Sequence, residues 1–263
     1  MSAIVINPPS APSRFVDWLA SNSQLSNTDQ RYYNYLPRSS SHSLALCGFI
    51  VQDLILRSET IREKARRGRI AFGLNVYHTW PNGKTKNLDL AIGVPQPQGL
   101  PLTTNGISQA TAFSRVLISC EAKNCMTEHK KSQPRIFDEL SSSHEIVHQG
   151  DQQCIAAGIA IINIAPTFVS PLRQRTGTDL VITQHNQPAV TGSMVTHLRG
   201  LPIRNEVGQV GFDAFVQAVV NCNNQNGATL HTELPAPQPG DPDHFDTFMN
   251  RISLAFEQRF AGI

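Results

Sequence analysis

The segment Arg115-Val-Leu-Ile-Ser-Cys-Glu-Ala-Lys123 constrains the fold of this chain more than any other. Its first half is an unbroken apolar run. Such a run is what a strand shows when both faces of its sheet are covered, and parallel or mixed sheets between helices supply that setting. The second half ends in Glu121 and Lys123, two residues apart, so strand alternation sets both on one face with Ala122 on the other. A central strand that ends in opposite charges needs neighbours able to match them.

Those neighbours are legible around it. Residues 70–78 alternate, Asn82-Gly83 makes a tight turn, and residues 88–93 alternate again, so 70–93 reads as a hairpin with Asp89 in its second strand. Residues 43–56 repeat apolar side chains at steps of three and four and read as a helix, and a charged helix follows over 60–67, stopped by Gly68. Residues 94–110 form a loop rich in Pro, Gln and Gly. Pro134 opens a helix that runs to His148, ahead of Gly150. The stretch 155–165 is apolar, with a buried strand expected over 159–164. Phe15, Val16, Trp18 and Leu19 start a short N-terminal helix. Beyond Pro166, 181–183 and Val190 are expected in strands, and Phe212, Phe215, Val216 and Val219 on a helix. A Pro/Gly linker spans 234–243, and an amphipathic helix carries Phe245 to Phe256. The expected fold is α/β, a mixed central β-sheet flanked by helices. It makes one domain over 1–263: an N-terminal helical arm, a core over 43–165 and a C-terminal extension over 166–263.

Charge is distributed unevenly. Between Arg57 and Arg135 there are 13 Lys and Arg against 5 Asp and Glu, a local +8 in a chain whose net charge is +2. One strongly basic third points to an anionic partner for that third. Five cysteines, with no CxxC pair, argue for a reducing compartment and against a disulfide frame or a cysteine zinc site. The opening residues have no basic start followed by an apolar stretch, and no apolar run is long enough to span a bilayer. A cytoplasmic protein without a membrane segment is expected.

If the two strands pair, Asp89 comes alongside Glu121. Facing carboxylates repel, and a hard divalent cation such as Mg²⁺ removes that cost, with the backbone carbonyl of Ala122 as a third oxygen. The metal-ligand candidates are therefore Asp89, Glu121 and Ala122. Lys123 beside them would orient a water and stabilise charge on phosphorus.

This arrangement resembles the PD-(D/E)xK, or restriction-endonuclease-like, nucleases over about residues 43–165. Helix, Asp-bearing hairpin, ExK strand, helix and strand follow one another in the family's order. The departure is Leu88, where the family motif has proline. The resemblance implies that Asp89, Glu121 and Lys123 are catalytic and that Mg²⁺ or Mn²⁺ is the cofactor. It also implies that double-stranded DNA is the substrate, cut by a homodimeric type II restriction endonuclease. Auxiliary acidic candidates are Glu59 and Glu139, near Glu63 and Asp138. The DNA-binding candidates are Arg66, Arg67, Arg69, Lys130 and Lys131, while the loop arginines Arg173 and Arg175 read equally as base readers or solvated charges.

Two alternatives come from other classes. His144-Glu-Ile-Val-His148 matches the HExxH zinc-peptidase pattern, with Glu145 as general base. Gly150 ends that helix early, however, and no Glu follows between 149 and 205 to complete the ligand set. The other alternative is a DNA-binding module that kept the fold without the chemistry.

Overall fold

The structure is a computed structural model that describes residues 9–97 and 106–263. The first eight residues and part of the loop expected over 94–110 lie outside the described residues. Among the described residues, six helices cover a seven-stranded mixed sheet. The helices are α1 (Ala11–Ser21), α2 (Ser41–Arg57), α3 (Glu59–Arg66), α4 (His129–Gly150), α5 (Ala189–Leu198) and α6 (Phe245–Phe260). The strands are β1 (Ala71–Thr79), β2 (Thr85–Pro95), β3 (Ser108–Gln109), β4 (Phe113–Cys125), β5 (Ile155–Asn163), β6 (Ala214–Cys222) and β7 (Ala228–His231). They lie in the order β7-β6-β5-β4-β2-β1-β3. The β1–β2, β2–β4 and β6–β7 pairs are antiparallel, while β4–β5 and β5–β6 are parallel. The α/β expectation therefore holds. Among the described residues, no helix is long and apolar enough to cross a membrane.

The apolar run of β4 does what its composition demands. Leu117, Ile118 and Cys120 pack into the layer formed by α1, α2, α3 and α6, and Val116 packs into the layer formed by α4 and α5. Fully covering each such side chain contributes about 1.5–3 kcal/mol. The hairpin forms as expected, with Gly83 at φ +81 in its turn, a backbone state open to glycine at little cost.

Five expected elements differ in kind or in bounds. Residues 212–219 are not helical: Ala214–Cys222 is β6, parallel to β5. The three-and-four spacing of Phe212, Phe215, Val216 and Val219 arises because both faces of β6 are buried. Ala214, Val216, Ala218 and Val220 meet the α2/α6 layer, and Phe215 and Val219 meet the α4/α5 layer. Val190 lies in α5 rather than a strand, and of 181–183 only Thr183 is in a strand, paired with Phe168. Helix α4 starts five residues before Pro134, so the proline is internal. It sits in the second turn, where its missing N–H removes one hydrogen bond near the helix start. The strand expected over 159–164 starts earlier, at Ile155, and is buried throughout. The segment beyond 166 adds two strands to the main sheet and, in α6, a helix on its core.

Candidate active site

The ladder between β2 and β4 runs through Ile92–Ile118, Ala91–Ser119 and Leu90–Cys120. One further step along this register sets Asp89 opposite Glu121. There the Asp89 carboxylate takes over from the ladder, accepting the Ala122 N–H at 2.9 Å. In an extended strand the carbonyl of a residue faces the same edge as its N–H, so the Ala122 carbonyl is also directed to the Asp89 side.

Glu121 lies on the α4 side, where the Ser143 hydroxyl donates to its Oε2 at 3.2 Å. Two ammonium groups hold the same carboxylate: Lys123 at 2.7 Å on Oε1 and Lys86 at 3.1 Å on Oε2. Lys123 reaches on to Glu139 at 3.2 Å, and Glu139 accepts from Arg135 at 2.8 Å. A chain of alternating charges thus runs Lys86–Glu121–Lys123–Glu139–Arg135, from the turn end of the hairpin across β4 to α4.

The electrostatics follow from burial and crowding. Burial and then the Glu121 charge push the Asp89 carboxyl above its ordinary value, against the Ala122 N–H and the two lysines. Burial works against the Lys123 ammonium, yet Glu121, Glu139 and Asp89 more than offset it, so Lys123 stays firmly protonated. Glu139 loses to burial but gains more from Lys123 and Arg135, which hold it below the usual carboxylate range. The nearby thiols of Cys47 and Cys120 are pushed well up, by burial first and by the neighbouring acids second, so neither is a thiolate. All five cysteines are buried and free.

The structure therefore brings together Asp89, Glu121, Ala122, Lys123 and Glu139. It does not bring Glu59 to them. That residue is exposed at the start of α3, in a groove shared with α6 on the other face of the sheet. The basic candidates also divide. Arg66, Arg67 and Arg69 are exposed near the end of the sheet where β1 begins, and Arg66 and Arg67 flank Glu63. Lys130 and Lys131 follow the opposite end of β4, and the nine residue steps from Val116 to Cys125 span roughly 30 Å. They are not one patch. Two partners of Glu121 had no signal in the motif, Lys86 and Ser143. Lys86 stands beside an exposed turn and Ser143 inside a Ser-Ser-Ser run on α4, so local pattern did not single out either.

The HExxH residues are arranged differently. His144 and His148 are buried on one face of α4, their ring centroids 6.2 Å apart, while Glu145 is exposed. His144 packs edge-on against Phe212, neither ring nitrogen has a hydrogen-bond partner, and burial and then the neighbouring His148 push its pKa down to about 4. His148 faces Asp213 at 3.4 Å. Among the described residues, no group of three or more His, Cys, Asp and Glu side chains is set to hold a metal ion. Asp89 and Glu121 are two carboxylates rather than such a group of three, with the Ala122 backbone beside them.

Comparison of the chain with protein families, with curated proteins and with solved structures found no match.

Proposed function

We propose that the Asp89–Glu121–Lys123 cluster is the active site of a metal-dependent nuclease that hydrolyses phosphodiester bonds in double-stranded DNA. The observation that carries this reading is the meeting of two strand-borne carboxylates across β2 and β4, with a protonated lysine two residues from one of them. The sequence resemblance to PD-(D/E)xK nucleases supports it, and so do Lys130 and Lys131, exposed at the start of α4 past the end of β4.

The residues fit a hard divalent cation. Asp89 is under strain from burial and from Glu121, a cost that a cation between them removes. Asp89, Glu121 and the Ala122 carbonyl would hold Mg²⁺ or Mn²⁺, which keep waters in their remaining positions. When bound, the ion supplies Lewis-acid stabilisation of phosphoryl charge and a more acidic water. The chain's own groups do the rest. Lys123 is protonated, tethered to Glu121 and Glu139, and directs its ammonium at an attacking water and the phosphoryl oxygens. Glu139 and Arg135 fix the direction of Lys123 from α4. Within this reading Lys130 and Lys131 on α4 carry more of the backbone contact than Arg66, Arg67 and Arg69, which lie at the far end of the sheet. A type II restriction endonuclease is the form proposed, acting as a homodimer because cutting both strands of one short site takes two such clusters.

The test is incubation of purified protein with supercoiled plasmid and Mg²⁺, with an EDTA control, beside DNA affinity at several salt concentrations. Lys123→Ala is expected to abolish cleavage and retain most of the affinity, since one phosphate contact among many is lost. A Lys123→Ala protein that cuts at the wild-type rate overturns the mechanism.

A further inference from the structure

Lys86 is the least expected member of the cluster. It lies next to the turn of the hairpin, only partly exposed, and makes its ion pair with the carboxylate that would bind the metal. Lys86 and Lys123 hold different oxygens of Glu121, and both also act favourably on Asp89. Two carboxylates and two ammonium groups thus form a balanced set that needs no metal to be neutral.

That balance has a physical consequence. A divalent ion entering with all four groups in place would leave a local charge of about +2 in a half-buried pocket, which is costly at low dielectric. Lys123 cannot leave easily, because Glu139 holds it from the other side. Among the described residues no second carboxylate lies within ion-pair distance of Lys86, and a lysine on a flexible four-carbon stem moves at little cost.

Building on the nuclease reading, we propose that Lys86 is a positioning residue that occupies the divalent cation's place on Glu121 and swings off that carboxylate when the cation arrives. Once released, its ammonium faces the incoming phosphodiester. The cation then replaces one positive charge rather than adding two, and the displaced charge is met by the substrate. Metal and DNA become mutually supporting ligands: each makes room for, or neutralises, the charge the other brings.

The test is Mn²⁺ binding to the protein without DNA, read from the free-ion electron paramagnetic resonance signal. Lys86→Met keeps the aliphatic stem and removes the charge, and Lys86→Arg keeps the charge. Lys86→Met is expected to bind Mn²⁺ about tenfold more tightly than wild type, and Lys86→Arg about as wild type does. Adding Glu121→Gln to Lys86→Met is expected to abolish the gain. Equal or weaker binding by Lys86→Met, with wild type still binding Mn²⁺ through Glu121, overturns the role of Lys86 and leaves the nuclease reading standing. A gain that survives Glu121→Gln also overturns the role. Absence of Mn²⁺ binding in every protein overturns both.

Discussion

Helix α4 packs against two carboxylate clusters built on opposite plans. Toward β4 it offers Ser143 to Glu121 and Glu139 to Lys123. One turn later it offers His148 to Asp213, just before β6. Asp213 is saturated: it accepts from Arg204 at 2.9 Å on each oxygen, from Arg259 at 2.6 Å and from the Ala156 N–H at 2.8 Å. Arg204 is itself buried and also donates to the carbonyl of Cys154 at 2.9 Å. Burial alone would raise the Asp213 carboxyl, but His148, Arg204 and Arg259 together drive it far below the usual range. Asp89 is the reverse. It is pushed up by burial and by Glu121, with one backbone N–H to steady it. A carboxylate with every lone pair answered ties elements of a fold together. One raised by burial and by a second acid, which two lysines only partly offset, is the kind of perturbed carboxylate that marks a candidate functional site.

The contrast breaks most visibly in stability. Asp213→Ala leaves a buried arginine without its partner and is expected to cost about 3–5 kcal/mol, read by urea unfolding. In the same assay Asp89→Asn is expected to unfold at equal or slightly higher denaturant, because it removes a charge that burial penalises. Equal losses in the two variants would erase the distinction.

Proton linkage sharpens it. Asp213 has a lowered folded pKa, so its contribution is fully present above the ordinary carboxylate value and is lost as pH falls toward the folded one. Asp89 has a raised folded pKa, so stability falls as pH rises from the ordinary value through the folded one. Melting across mild acid should therefore show the Asp89→Asn protein gaining on wild type as pH rises. Below the ordinary carboxylate value, in stronger acid, the Asp213→Asn protein should fall further behind wild type as pH rises.

A smaller effect tests the two histidines. Both stand on the Asp213 side, so the purified protein should contain no stoichiometric zinc by elemental analysis. Tightly bound zinc that disappears in His148→Ala would move the chemistry to that cluster. Smallest of all is the far basic group. Neutralising Arg66, Arg67 and Arg69 together should change the salt slope of DNA binding less than neutralising Lys130 and Lys131, which follow β4 at the other end of the sheet.

The two clusters also differ in how far sequence reveals them. Asp89, Glu121 and Lys123 sit on strands with clear alternation and a recognisable spacing, so their meeting follows from pairing two hairpin-adjacent strands. Lys86 joins through an irregular stretch. Asn75 in β1 has φ +54, and Leu88 and Leu90 pack into different layers where simple alternation would place them together. Period-two reasoning cannot follow such a break. The Arg204–Asp213 pair closes a loop of nine residues through backbone carbonyls of another strand's start, which no local pattern encodes. Strand β6 hid for a related reason: burial on both faces erased its alternation and left a helix-like spacing. Helix α5 is short, and Thr191, Gly192 and Ser193 dilute its apolar face.

The most direct measurement is the nicking rate of supercoiled plasmid at rising Mg²⁺ for wild type and for Asp89→Asn, with melting recorded on the same preparations. Wild type should nick in proportion to bound Mg²⁺ and stop in EDTA. Asp89→Asn should melt no earlier than wild type and should not nick. Nicking by Asp89→Asn at the wild-type rate, or a folded wild type that leaves the plasmid intact at every Mg²⁺ concentration, would contradict the proposed active site.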